Sequence, residues 1–177
     1  SLAVVKEKEI GTMEQLIVTP LKPYQIIIGK LVPFVVLSFA AVIIILAAMY
    51  FIFGIPVKGE LWFLFFSSFL YILSTLGLGL FVSTISKTQQ QATMTSFFGV
   101  MMPMIYLSGF SFPIENMPVW IQYITYLIPL RYFITIVRGI ILKGIGFEHL
   151  YDQFLALFIF GIVILALSSL RFRKKLE

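Results

Sequence analysis

The chain has 177 residues, 60% of them hydrophobic and only 12% charged, with a mean hydropathy of +1.02. That composition lies outside the range of soluble globular domains and predicts an integral membrane protein. The net charge of +5 does not point to nucleic acid, because the basic residues flank apolar runs instead of forming a patch with stacking aromatics; with no cysteine, disulfide frameworks, iron–sulfur clusters and thiol nucleophiles are excluded.

The one long polar stretch runs from Lys6 to Leu21. Thr12 and Gln15 have the T-x-x-Q spacing of a capping box, in which each side chain satisfies an orphan backbone donor at a helix start. Gly11 permits a sharp approach to that start, Glu14 suits the positive end of the helix dipole, and Thr19-Pro20 closes the segment. The prediction is a charged, amphipathic helix of about two turns, lying at the membrane surface ahead of the first span. It serves either as a solvated flank or as a contact for a soluble partner.

Lys22-Pro23 opens the next helix, since proline is tolerated in a first turn. Leu31 to Phe53 forms the first span, with Pro33 bending its start; roughly 20 residues at about 1.5 Å each cross a hydrocarbon core of about 30 Å. The short turn Gly54 to Glu60 returns the chain antiparallel through a second span, Leu61 to Ile85. Thr75, Gly79 and Ser83 recur at four-residue spacing there and predict a face for close helix packing, with substrate contact the rival reading. Thr88 and Gln91 repeat the capping-box spacing and start a third span, Ala92 to about Tyr106, with Pro103 as a kink.

Residues 109–145 are irregular. Pro113, Pro118 and Pro129 divide them, and Trp120, Tyr123, Tyr126 and Tyr132 are rings suited to a membrane–water interface. The pieces are too short to span, so Val119 to Ile128 and Leu130 to Leu142 are predicted as a re-entrant helical pair, which needs protein or a water-filled cavity around it. Arg131 and Arg138 share a face, and burial in mid-membrane would cost about 2.5–3.5 kcal/mol each, so they should face water, headgroups or a cavity, or snorkel to the interface. Gln153 to Leu170 is the last span, and Arg171-Phe172-Arg173-Lys174-Lys175 follows it directly. The fold class is thus all-α integral membrane, with four transmembrane helices in residues 31–177. The basic residues Lys6, Lys8, Lys22, Lys30 and Lys87, with those after Leu170, put both termini in the cytoplasm.

Catalytic chemistry is missing from the sequence. Gly29-Lys30-Leu31 lacks the first glycine and the hydroxyl of a phosphate-binding G-x-x-x-x-G-K-[ST] loop, so ATP hydrolysis by this chain is not expected. His149 is the single histidine and gives no metal site. Mid-membrane Asp, Glu, His or Lys, usual in ion-coupled carriers, is absent from the predicted spans.

Three runs together resemble one family. Glu7-Lys8-Glu9-Ile10-Gly11-Thr12-Met13-Glu14-Gln15-Leu16, continuing to Val18-Thr19-Pro20-Leu21 and Gly29-Lys30, is similar to the cytoplasmic coupling region of ABC-2-type permeases, the membrane subunits of ABC exporters. Ser83 to Ala92 and Leu107 to Pro118, with Tyr126 to Phe133, fit in the same order. Such permeases carry two more spans ahead of the coupling region, so the chain reads as the C-terminal portion of a longer permease.

The resemblance implies roles. Glu7, Glu9, Gly11, Thr12, Glu14 and Gln15 would meet a cytoplasmic ATP-binding subunit, and residues 1–30 would form the coupling segment. Phe110, Phe112, Pro113, Pro129, Arg131 and Arg138 would belong to the outer gate and re-entrant region. The implied function is ATP-driven export of a hydrophobic or amphipathic substrate, drug-like or lipid-linked, with ATP bound by the partner subunit. A second permease copy or close relative and membrane lipid complete the implied partners, and a bacterial plasma membrane the implied location. Two rival readings are a non-transporting anchor that docks a soluble partner and a passive channel or secondary carrier.

Overall fold

The computed structural model describes Val5 and residues 23–173, and among them every regular element is helical. The coupling helix predicted between Lys6 and Thr19 lies outside the described residues. The elements are α1 (Pro23–Phe51), α2 (Leu61–Ile85), α3 (Gln89–Ser96), α4 (Met102–Leu107), α5 (Val119–Thr125), α6 (Pro129–Arg138) and α7 (Phe147–Arg173). Three stretches among them are long and apolar enough to cross a membrane: Ile28–Phe51, Leu61–Ile85 and Phe147–Arg171. The chain is an all-α membrane protein.

α1 begins at Pro23, whose missing N–H is harmless in a first turn, and passes through Pro33 without a break. It stops two residues short of the predicted Phe53, because Gly54 takes a left-handed conformation (φ +63°) and Ile55 N–H turns back to the carbonyl of Met49 at 3.1 Å. α2 matches its predicted limits. Most of its hydroxyls turn back on their own helix: Ser68 donates to the Leu64 carbonyl, Ser74 to Leu70, Thr75 to Tyr71 and Ser83 to Leu80, while the buried Ser67 hydroxyl has no partner.

The capping box at Thr88 forms with a one-residue offset. The Thr88 hydroxyl accepts from Gln91 N–H at 3.2 Å, while the Gln91 side chain accepts from Lys87 N–H at 2.8 Å instead of from Thr88. α3 runs on through a π turn (Phe97–Met101) into α4. Pro103 gives the turn its cause. Its ring would clash with the carbonyl four residues back and cannot bond it, so the helix widens, and Met102 N–H reaches the Phe97 carbonyl five residues away. The span predicted from Ala92 to about Tyr106 falls in this run as three short helical pieces.

α7 starts at Phe147, six residues before the predicted Gln153. The polar residues Glu148, His149 and Asp152 lie on the exposed side of the helix. Leu150 is buried and Phe147 and Phe154 lean on the core, at the spacing of one helical face. That core is Phe63, Leu64 and Leu70 of α2, Ile136 of α6 with the adjoining Ile140, and Leu150 and Leu157 of α7.

The α2–α7 seam is close. A Cβ on Gly77 would stand 2.8 Å from Ile164 Cγ2, a Cβ on Gly161 would stand 3.0 Å from Ser74 Oγ, and the Ser168 hydroxyl donates to the Gly77 carbonyl at 2.9 Å. Thr75, Gly79 and Ser83 lie about half a turn away round α2, at about 100° per residue, and so are not the small residues of this seam. α1 leans on the pair through Phe39, whose ring lies 6.5 Å from Phe65 and 6.1 Å from Phe69. No residue in its apolar stretch is buried.

Candidate functional site

Between α4 and α7 the chain builds a compact helical assembly. Ser108 and Gly109 end α4, with Gly109 left-handed (φ +83°) and Phe110 N–H bonded to Ser108 Oγ at 3.3 Å. Pro113 opens a short 3₁₀ turn, Ile114–Asn116, and Pro118 caps α5 at its start. The Gln122 side-chain amide donates to the Met117 carbonyl at 2.8 Å and ties that turn to α5.

α5 and the run Pro129–Lys143 meet at 86°. Pro129 is the first residue of α6 and is buried, so the bend is set where proline forbids the preceding residue helical geometry; Ile128 is extended there, with φ −104° and ψ 110°. The predicted pair is therefore present with shifted limits, α5 ending at Thr125 and the second limb reaching Lys143 through a π turn (Gly139–Lys143).

Arg131 fastens the bend. Its guanidinium lies 3.8 Å from the Tyr126 ring centroid, donates to the Gln122 carbonyl at 3.4 Å, and donates to the Thr125 hydroxyl, which itself donates to the Gln122 carbonyl at 2.7 Å. A cation is thus held at the C-terminal end of α5, where the helix dipole is negative. The Tyr132 hydroxyl adds a bond to the Tyr126 carbonyl at 2.7 Å.

Arg138, two turns further along α6, donates to the Gly109 carbonyl at 3.2 Å and ties α6 to the end of α4. Tyr71 of α2 stacks on Phe133 with 4.4 Å between centroids and 4° between planes, so the bent pair is also held to the bundle.

The arginines were expected to face water, headgroups or a cavity. Arg138 is exposed and Arg131 half-buried, and their bonds go to backbone carbonyls and, for Arg131, to a buried threonine hydroxyl as well. Phe110 and Phe112 are exposed beside the Gly109 turn, as are Trp120 and Tyr123 on α5. The site brings Arg131 and Pro129 together at the bend and Arg138 to the turn that precedes Phe110; it does not join the two arginines to one partner. Sequence reasoning missed Gln122 and Thr125, and the signal was available: each lies one helical turn or two from Arg131 across a proline bend. Among the described residues no cluster of three or more His, Asp or Glu could hold a metal. The bonds of Arg131, Arg138 and Gln122 position the bent pair against α4.

Residues 1–142 match the family model of the ABC-2 type transporter. The chain belongs to the ABC-2 type transporter family. Relatives within or beside that family include the probable multidrug ABC transporter permease YbhR of Escherichia coli K12, 39% identical over 99% of this chain and 47% of the relative. The inner membrane transport permease YhhJ of the same strain is 32% identical over 97% of this chain and 46% of the relative. ABC transporter G family member 20 of Dictyostelium discoideum is 25% identical over 96% of this chain and 24% of its own length. The chain therefore spans about half the length of the bacterial relatives, at 47% and 46%. No solved structure matches it.

Proposed function

We propose that the chain is the C-terminal membrane part of a permease subunit of an ABC exporter, which moves a hydrophobic or amphipathic substrate with ATP hydrolysed by a separate cytoplasmic subunit. The observation that carries this reading is family membership over residues 1–142, joined to relatives named as ABC transporter permeases. Few charges in the spans favour an apolar or amphipathic cargo, and the name of YbhR, a probable multidrug permease, agrees with it.

In this reading Glu7, Glu9, Gly11, Thr12, Glu14 and Gln15 form the surface that meets the ATP-binding subunit, and a second permease copy completes the pathway. ATP binding closes the ATPase pair, presses on this surface and shifts the spans between inward- and outward-open states; only differential contact with the two states can drive such a shift. Phe110, Phe112 and Pro113, set by the Gly109 turn, gate the outer exit. Both termini lie in the cytoplasm of a bacterial inner membrane, in accord with the basic residues at each end.

These 177 residues hold no cysteine, so the test needs only any cysteine elsewhere in the full-length protein replaced. A single Glu14→Cys in the full-length protein should crosslink to the co-expressed ATP-binding subunit, with a yield that changes when nucleotide is trapped. No crosslink, with the cysteine freely labelled from the cytoplasm, overturns the coupling assignment and favours a docking-only anchor.

A further inference from the structure

α6 runs beside α2 in the opposite direction. Phe133 stacks on Tyr71, and in the π turn that follows α6 the Ile140 carbonyl accepts from Gly59 N–H, just ahead of α2. Tyr71 is ten residues beyond Leu61, a rise of about 15 Å, which is half of a hydrocarbon core of about 30 Å. Phe133 therefore stands near mid-membrane. Arg131 lies two residues further from the Gly59 end, and Arg138 five residues nearer to it.

At about 100° per residue, Arg131, Thr135 and Arg138 fall within about 60° of one another, on the side of α6 turned away from Phe133 and Ile136. Thr135 and Arg138 are exposed and Arg131 is half-buried, whereas Ile136 is fully buried in the core. A polar, doubly positive ribbon thus climbs from mid-membrane along the free face of a limb whose other face is packed.

Nothing acidic answers this charge. The sequence has no Asp or Glu between Glu60 and Glu115, and none between Glu115 and Glu148. The two arginines bond only to neutral oxygens, Arg131 through Nη1 alone and Arg138 through Nη2 alone, so most of their N–H donors are unspent. Positive charge at such depth is costly unless it meets water or an anion, and guanidinium N–H groups match phosphate and carboxylate oxygens in pairs.

We propose that this ribbon binds the acidic headgroup of an amphiphile, a phosphate or carboxylate on a hydrocarbon tail. Arg131 and Arg138, about 10 Å apart along the helix, are successive holding points for it. Calling that amphiphile the cargo rests on the exporter reading above, since a resident phospholipid offers the same phosphate.

The experiment reconstitutes the full-length protein with its ATP-binding subunit in phosphatidylcholine vesicles. Two radiolabelled probes with one tail and opposite heads are compared, dodecyl phosphate and dodecyltrimethylammonium. Without nucleotide, and over protein-free vesicles, dodecyl phosphate should bind about tenfold more tightly, the least that one hydrogen bond to a charged group contributes. Thr135→Glu sets a carboxylate between the arginines while keeping both, and should abolish the preference; Arg138→Gln should reduce it. Circular dichroism checks that helix content is unchanged in each. Equal binding of the two probes overturns the proposal, in favour of a carboxylate from elsewhere in the full-length chain that neutralises the ribbon. A preference that survives both variants overturns it too, by placing the anion elsewhere.

ATP then separates cargo from resident lipid. Preferred export of dodecyl phosphate supports the cargo role, and export of the cationic probe alone overturns that role. If the binding preference is present and ATP moves neither probe, the ribbon stands and the exporter reading fails.

Discussion

The backbone N–H of Gly59 donates to the carbonyl of Ile140 at 3.0 Å, which joins the turn between α1 and α2 to the far limb of the bent pair. That carbonyl is free for the purpose because the π turn sends Gly144 N–H to Gly139 instead. The two chains approach so closely that a Cβ on Gly59 would stand 3.0 Å from both Ile140 Cγ2 and the Ile140 carbonyl oxygen. A helical irregularity at one place thus supplies the acceptor that fixes a loop at another.

Gly59→Val should therefore part the turn from the bent pair. Backbone has to shift, since the obstructing atoms include main chain, and overpacking of this kind costs about 1–3 kcal/mol. Thermal unfolding in detergent should show the lowered stability. Hydrogen exchange at the Gly59 amide should rise with it; an unchanged midpoint and unchanged exchange would mean that the contact is dispensable.

Gly77 and Gly99 make a matched pair. A methyl at Gly77 would press to 2.8 Å from Ile164 Cγ2, whereas at Gly99 the nearest atom is Thr95 Cγ2 at 3.8 Å. Gly77→Val should loosen the α2–α7 seam and destabilise by about 1–3 kcal/mol. Gly99→Ala should leave stability unchanged or raise it by up to about 1 kcal/mol, the usual difference in helix propensity. Unfolding midpoints measured side by side decide, and equal effects at both glycines would contradict the seam described above.

Arg131→Lys keeps the charge and loses the planar fork that serves the Gln122 carbonyl, the Thr125 hydroxyl and the Tyr126 ring together. Hydrogen bonds to a charged group contribute about 1.5–3 kcal/mol, so the lysine variant should fall most of the way to Arg131→Gln in stability. A lysine variant equal to the parent would show that charge alone matters there. Thermal unfolding of the three proteins in detergent reads the outcome.

Much of this architecture was legible in the residues because its causes are local. The limits of α2 follow from an uncharged, mostly apolar run between Glu60 and Ser86, and the cap at Thr88 from a spacing that chemistry restricts to a few residue types. The π turns were hidden. Pro103 announced a disturbance, but whether a helix kinks or widens depends on what surrounds it, and nothing near Gly139 marks a change of winding at all. Close packing was hidden for a related reason. The regular Thr75, Gly79, Ser83 spacing drew attention, yet the residues at the seam are Ser74 and Gly77, chosen by Gly161 and Ser168 on a helix more than eighty residues later. The start of α7 turned on Phe147 and Leu150, whose value appears only once Phe63 and Gly139 are beside them. The acceptors of Arg131 and Arg138 are main-chain atoms apart from the Thr125 hydroxyl, and sequence does not distinguish one main-chain carbonyl from another.

The hydroxyls of α2 have one more consequence. Because Ser68, Ser74, Thr75 and Ser83 bond to carbonyls of their own helix, they leave little polar friction on its flank. The long-range side-chain bond recorded between α2 and α7 is that of Ser168 to Gly77, and a bond of this type inside a membrane contributes about 0.6 kcal/mol. The two longest-packed rods of the molecule meet as a greased bearing with a single light detent, so that sliding or rolling one on the other is resisted by shape far more than by polarity.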